Sequence, residues 1–242
     1  MLSRRSFAVQ AAALALGARL AAPAAAQAPK AAAKPLAVPI DPPAAFLDAL
    51  DAKYRDAVRS VLRSPTLTAK SAEEAFFAQP SLYDWFLDRP DRAALAWRRL
   101  DVPCAEVLDQ GNGAFGYRDE LGTEVSWRAV GRFADGVVWY ATGKVKPAAL
   151  LPVVPVKAVA ILKCPRQPAG LSGESASFEP SATVSIQTDS KAASAVLRLV
   201  GPAAPRMAEQ GAEQLLLFFS GPSRYLFDHP EESAKLLAPA KR

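Results

Sequence analysis

The sequence is poor in the residue types that carry most enzyme chemistry. Its 242 residues include one histidine, His229, and two cysteines, Cys104 and Cys164. A lone histidine directly before a helix-starting proline is more typical of a helix end than of a general base, so we expect no nucleophilic triad. The Gly-x-Ser-x-Gly, His-Glu-x-x-His and Walker patterns are also missing. The sequence therefore predicts no catalytic residue, no metal site and no cofactor.

The surplus of positive over negative charge is small outside the N-terminus. The formal net charge is +5, and residues 1–26 contain Arg4, Arg5 and Arg19 but no acidic residue, so loss of this segment would leave +2. The rest of the chain has no run of basic residues, whereas phosphate binding needs clustered cations. We therefore expect no nucleic-acid partner, and the same reasoning weakens binding to an anionic membrane.

The first 26 residues have the layout of an export signal. Paired arginines and a phenylalanine in residues 3–7 precede an apolar run, and residues 24–26 offer a small-residue cleavage site. The run is mostly alanine and contains Arg19, so it is too weakly apolar to span a membrane. The arginine pair resembles the twin-arginine signal. That resemblance implies the twin-arginine export machinery as a partner, a periplasmic or secreted product, and no integral membrane segment after cleavage.

Composition divides the remaining chain into two parts. Residues 27–43 are rich in alanine and proline and predict a linker, and residues 44–238 predict a single α+β domain. No Cys-x-x-Cys occurs. In an oxidising compartment Cys104 and Cys164 either form one disulfide or remain two buried thiols, and the sequence does not decide between them.

Hydrophobic periodicity predicts the order of helices and strands. Spacing of three and four predicts a helix over residues 45–62 and two short helices between residues 82 and 100. A capping box, Ser71 with Glu74, predicts another short helix that ends near Pro80. From residue 104 to residue 163 the period becomes two, which predicts antiparallel strands joined by turns at Asn112-Gly113 and Asp135-Gly136.

The C-terminal third predicts a loop, a strand and a long helix. Residues 167–179 are rich in glycine, serine and proline and predict a polar loop before a strand over residues 183–188. A helix is expected to begin at Ser190, to be interrupted at Gly201-Pro202, and to end at Gly221-Pro222.

One strand carries most of the candidate site. Strict alternation over residues 125–133 places Trp127 and Phe133 on a buried face, and Arg128 and Arg132 on a solvated face. The aromatic residues of this region, with Trp139, fit either an ordinary core or the lining of an apolar pocket. Arg128 fits either a solvated position or a contact with an anionic head group.

A dinucleotide-binding pattern, Gly-x-Gly-x-x-Gly, occurs at residues 111–116. That motif needs a helix after it, whereas here Asn112-Gly113 favours a type I′ hairpin turn followed by a strand. The pattern therefore predicts a hairpin.

The order of a strand, short helices, an antiparallel run and a long C-terminal helix over residues 64–220 resembles the START-like helix-grip superfamily. The stretches at residues 82–92 and 187–193 are also similar to a family of uncharacterised secreted bacterial proteins, which brings no activity with it. The first resemblance implies a curved antiparallel sheet packed on a long C-terminal helix, with space for a lipid or another apolar ligand between them.

We therefore expect an exported, non-enzymatic protein that binds an apolar or lipid-like molecule. The expected ligand-binding residues lie on the sheet and on the helix: Trp127, Trp139, Phe133, Val196, Val200, Met207 and Arg128. One alternative is an enzyme of the same fold that uses Asp119 or Arg128. The other is an interaction module for envelope proteins, with an exposed aromatic face at residues 82–85.

Overall fold

The computed structural model describes residues 39–146, 152–169, 175–188 and 204–238. Its helices are α1 (Ala44–Asp48), α2 (Arg55–Arg63), α3 (Pro80–Asp88), α4 (Pro90–Arg99), α5 (Ala204–Asp228) and α6 (Ser233–Leu236), with 3-10 helices at Ala52–Tyr54 and Pro230–Glu232. Its strands are β1 (Leu67–Ala72), β2 (Phe76–Ala78), β3 (Leu108–Gly111), β4 (Ala114–Arg118), β5 (Glu124–Phe133), β6 (Gly136–Val145), β7 (Val154–Lys163), β8 (Arg166–Ala169), β9 (Ser175–Phe178) and β10 (Ser181–Gln187). None of the helices in these ranges is both long enough and apolar enough to cross a membrane.

The strands of the described residues form two antiparallel sheets. The large sheet has the order β1-β10-β7-β6-β5-β4-β3, and the small sheet has the order β2-β9-β8. Helix α5 packs against β1, β2 and β10, and also against α3 and α4. The predicted α+β class, with an antiparallel sheet packed on a C-terminal helix and short helices before it, is confirmed.

The turn between β3 and β4 has the geometry that its sequence predicts. Asn112 and Gly113 have φ angles of 52° and 70°, the left-handed values that a type I′ turn requires at both central positions. A strand, not a helix, follows Gly113. The glycine pattern at residues 111–116 is therefore a hairpin.

The large sheet has two differently covered faces, here called inner and outer. The inner face packs on α3, α4 and α5 and carries Val125, Trp127 and Trp139. On the outer face, α1 and α2 pack over Val130 and Val138. The expected solvated face is thus covered along part of its length.

A β-bulge in β5 explains why Phe133 lies on the outer face. The pairing of β5 with β6 shifts between Ala129 and Gly131, and one extra residue reverses the alternation that follows it. Phe133 therefore packs with the outer cluster and stacks on Phe46, with ring centroids 5.4 Å apart. The prediction that Phe133 shares a face with Trp127 is wrong.

The bulge also divides the helix predicted over residues 45–62. Leu50 forms a bridge with Gly131, and the Asp51 amide donates to the Val130 carbonyl at 2.7 Å. Asp51 Oδ1 then accepts from the Lys53 amide at 3.1 Å and starts the next turn. Pairing with the sheet thus interrupts a stretch whose periodicity favours one helix.

The last residues of the predicted linker pack against the domain. The Ile40 amide donates to the Leu62 carbonyl at 2.8 Å, and Asp41 pairs with Arg63 at 2.8 Å. Ile40 also packs against the outer cluster. These contacts fix the path by which the chain enters α1.

Strands lie where the sequence predicts a short helix after Ser71 and a loop over residues 167–179. Ser71 lies in β1 opposite Ala182, so the capping-box helix is wrong. Phe76 of β2 stacks on Phe178 of β9 with centroids 5.5 Å apart, and β8 and β9 occupy much of the predicted loop at residues 167–179. These strands are short and pair with distant residues, so local pattern does not reveal them.

Helix α5 continues through the proline where the sequence predicts its end. Pro222 has no amide hydrogen to donate to the Phe218 carbonyl, four residues earlier. The Trp97 Nε1–H of α4 donates to that carbonyl instead, at 3.0 Å. Gly221 makes room for the indole, because a Cβ there would lie 2.2 Å from Trp97 Cζ2. The predicted start at Ser190 and the interruption at residues 201–202 lie outside the described residues.

Candidate functional site on the inner face of the sheet

Two tryptophans on adjacent strands form the centre of the candidate site. Trp127 of β5 and Trp139 of β6 are 7% and 4% exposed. The Trp139 ring lies opposite Phe219 of α5, with centroids 5.1 Å apart. Trp127 lies beside Phe115 of β4 at 6.4 Å. The sheet and the long helix thus meet through aromatic side chains.

Alanines occupy the neighbouring positions of the inner face. Ala141 and Ala158 lie in register with Trp127, and Ala160 lies in register with Trp139. All three are buried. Alternation of large and small side chains lets a layer interdigitate. None of these five positions can ionise, so they offer apolar contact and no acid–base chemistry.

Tyr117 places one polar group at the edge of this apolar layer. It lies opposite Val125 on the inner face and packs against the same core. Its Oη donates to Asp119 Oδ2 at 3.5 Å. Burial raises the pKa of Tyr117, and the charge of Asp119 adds to that effect. The hydroxyl therefore stays protonated at neutral pH and is available as a hydrogen-bond partner.

The two residues of the enzymatic alternative lie apart. Asp119 Oδ1 accepts from the Thr123 amide at 2.8 Å and holds the β4–β5 turn. Arg128 lies five residues beyond Thr123, which is about 17 Å along a strand. It lies on the outer face opposite Tyr140, and its guanidinium is 5.8 Å from the Tyr54 ring centroid. The structure therefore brings Arg128 neither to Asp119 nor to the tryptophans.

In the structure the two cysteines are free, Cys104 half-buried and Cys164 buried. Cys164 Sγ lies 3.4 Å from the Tyr83 hydroxyl, and Cys104 Sγ donates to the Ala105 carbonyl at 3.5 Å. Burial raises the pKa of Cys104 to about 12 and also raises that of Cys164. Protonated thiols are poor nucleophiles. Within the described ranges, no group of three or more His, Cys, Asp or Glu side chains is placed to hold a metal ion.

The structure assembles part of the predicted binding set. Trp127 and Trp139 share the inner face, whereas Phe133 and Arg128 lie on the outer face. Val196 and Val200 lie outside the described residues. Met207 is in α5, but its side chain is not among those described.

The aromatic face expected for an interaction module is not exposed. Tyr83 is fully buried, and Leu82 and Trp85 are half-buried against the inner core. These side chains stabilise the packing of α3 on the domain.

The sequence places Tyr117 and Trp97 in the aromatic set that fits a core or a pocket, but it does not predict their contacts. Tyr117 follows Phe115 by two residues, so strand alternation is consistent with its inner-face position. For Trp97 the sequence predicts a helix but no partner. The signal was Pro222 inside an apolar helical pattern, because a carbonyl freed by proline needs a donor from elsewhere.

Comparison with known proteins identifies similar solved structures only at low similarity. No protein-family model matches the chain, and no curated protein matches it. A conserved protein from Geobacillus kaustophilus is 10% identical, with 64% of this chain and 96% of that chain covered and a TM-score of 0.33. A putative uncharacterized protein from Rhizobium leguminosarum is 13% identical, with 64% and 99% covered and a TM-score of 0.28. A truncated norcoclaurine synthase from Thalictrum flavum is 14% identical, with 64% and 96% covered and a TM-score of 0.31. At these scores the similarities assign neither a family nor a function to the chain.

Proposed function

We propose that this protein is exported and binds an apolar or lipid-like molecule between the inner face of its sheet and its C-terminal helix, without catalysing a reaction. The observation that carries the proposal is the pair Trp127 and Trp139, which share the inner face of adjacent strands among alanines, with Trp139 against Phe219 of α5. Tyr117 lies at the edge of that layer, where its hydroxyl is suited to the polar end of a ligand.

Binding of a fluorescent fatty-acid analogue to the full chain tests this site. Trp127→Ala should weaken the affinity at least about tenfold, since the lost aromatic contact is worth 1.4 kcal/mol or more. Phe133→Ala is the matched control, because it removes an aromatic ring from the same strand but from the outer face. Its affinity should remain that of the wild type.

Ala158→Leu is a second variant, which adds volume beside Trp127 instead of removing it. It should also weaken binding of the analogue. Circular dichroism would verify that each variant is folded. Equal affinities for the wild type, Trp127→Ala and Ala158→Leu would overturn the proposed site.

The proposal of export rests on the N-terminal pattern and has its own test. Replacement of the arginine pair, Arg4→Lys with Arg5→Lys, should leave an uncleaved precursor in the cytoplasm, while the wild type reaches the periplasm or the medium. Cell fractionation with an antibody against the domain measures both forms. Unchanged export of the double variant would contradict twin-arginine transport.

A further inference from the structure

We propose that the part of the outer face not covered by α1 and α2 docks onto an anionic phospholipid surface. We call this part the basic face, and define it by Arg128 of β5, Lys144 of β6 and Lys157 of β7. This inference concerns the opposite side of the sheet from the ligand site and does not depend on it.

Strand register brings the three cations of the basic face together. Thr142 of β6 lies directly opposite Lys157, two residues from Lys144, and on the strand beside Arg128. Directly opposite positions are about 5 Å apart and diagonal positions about 7–8 Å apart, both within reach of long side chains. The three charges therefore surround Thr142, although they are far apart in the sequence.

One acid, Glu124, neighbours the basic face. Lys144 contributes to the lowered pKa of Glu124, but the larger cause is Arg118, which pairs with its carboxylate at 2.6 Å. Among the described residues, Arg128, Lys144 and Lys157 form no ion pair within 4 Å. Arg128 is half-buried, and its guanidinium lies 5.8 Å from the Tyr54 ring centroid. Within the described part of the chain, the basic face thus keeps a surplus of positive charge for an external partner.

The shape of the basic face favours an extended anionic surface over a single small anion. Thr142 is the short residue between the cations, so the long side chains of Lys144 and Lys157 project beyond it. Towards β4, the Gln110 side chain lies over Gly116 and accepts a hydrogen bond from Ser126 Oγ at 2.7 Å. Lys144 and Lys157 are exposed. A small ligand needs a concave site, whereas a layer of lipid phosphates can engage every cation at once.

An exposed leucine next to the basic face fits the same partner. Leu108 of edge strand β3 lies opposite Gly116 and is 50% exposed. Binding at a bilayer surface combines attraction between basic side chains and anionic lipids with burial of apolar side chains at the interface. The edge of the outer face offers both.

Sedimentation with phosphatidylglycerol vesicles tests the proposal on the full chain. Each basic residue near an anionic surface contributes about fivefold to partitioning. Lys144→Gln with Lys157→Gln should therefore lower the partition coefficient about 25-fold at low ionic strength. The control is Lys70→Gln with Lys163→Gln, which removes the same charge from exposed positions elsewhere on β1 and β7. The N-terminal segment is identical in all these proteins, so it does not affect the comparison.

Three results would support the proposal together: a large loss for the first variant, little change for the control, and weak binding of all proteins to phosphatidylcholine vesicles. Equal losses in both double variants would overturn it, because net charge alone would then explain binding. Unchanged binding of the Lys144 and Lys157 variant would overturn it as well. A Leu108→Ser variant should lose a smaller part of the partitioning.

Discussion

The two faces of the large sheet meet their surroundings in different ways. The inner face carries tryptophans and alanines in one apolar cluster that includes residues of α5. The outer face is buried and apolar beneath α1 and α2, and further along the strands it carries Arg128, Lys144 and Lys157. The same strands therefore form a core on the inner side, and on the outer side they form a helix-covered part and a basic part. This comparison distinguishes side chains that stabilise the fold from side chains that can bind a partner.

The largest expected loss of stability comes from truncating an inner-face side chain of β6, and truncating an outer-face side chain of the same strand is its control. Trp139→Ala should lower the free energy of unfolding by about 3–5 kcal/mol, because the indole is buried against Phe219. Thr142→Ala, an exposed substitution on the outer face of the same strand, should change it by less than about 0.5 kcal/mol. Urea unfolding of both variants measures the contrast, and similar losses would contradict it.

The hydrogen bond from the Trp97 indole to the Phe218 carbonyl of α5 should also contribute to the free energy of unfolding. Trp97→Phe leaves the buried Phe218 carbonyl without its donor and should cost about 1–3 kcal/mol. In a Pro222→Ala background, residue 222 gains an amide that can donate to the same carbonyl, so the cost should fall. Equal costs in both backgrounds, in a double-mutant cycle of urea midpoints, would show that the indole does not replace the missing amide.

A matched pair of glycine substitutions tests the bulge that turns Phe133 outward. Gly131→Ala should destabilise the protein by about 1–2 kcal/mol, since its Cβ would lie 2.4 Å from Leu50 Cδ2. Gly211→Ala places a methyl group in open space within α5 and should stabilise it by up to about 1 kcal/mol. Thermal unfolding should shift in opposite directions, and a shift in the same direction would contradict this account.

The smallest effect at neutral pH is that of Cys104, whose contribution to stability changes only in alkaline solution. Burial raises the pKa of Cys104 to about 12 in the folded protein, so the folded state holds a proton that the unfolded state loses near its usual value. The stability from this group is full below pH ~9 and declines as pH rises from there towards 12. Unfolding midpoints of Cys104→Ala should fall less steeply than those of the wild type over this interval. Parallel curves would show that the thiol is not buried.

The sequence predicted those parts of the fold that local patterns control. Period-two alternation, with Asn112-Gly113 and Asp135-Gly136, correctly located the β3–β4 and β5–β6 hairpins, and the apolar stripe correctly located much of α5. Other features depend on partners that are distant in sequence. Pairing of β1 with β10 replaced the helix expected after Ser71, and Trp97 allowed α5 to continue past Pro222.

The candidate site was predicted only in part, because local alternation can be read from the sequence and long-range pairing cannot. Strict alternation holds up to the bulge at residues 129–131 and correctly placed Trp127 on the buried face. Beyond the bulge alternation reversed, and Phe133 was assigned to the wrong face. The cations of the basic face could not be recognised as a cluster, because Arg128, Lys144 and Lys157 come from three strands that only the register brings together.

The central claim is that the space between the inner face and α5 holds an apolar molecule. Native mass spectrometry of the protein purified from its own cells, followed by organic extraction, tests it most directly. We expect a bound mass that is released into the solvent, that is retained by Phe133→Ala, and that is absent from Trp127→Ala. A wild-type protein with no bound mass, or a ligand kept equally by both variants, would contradict the claim.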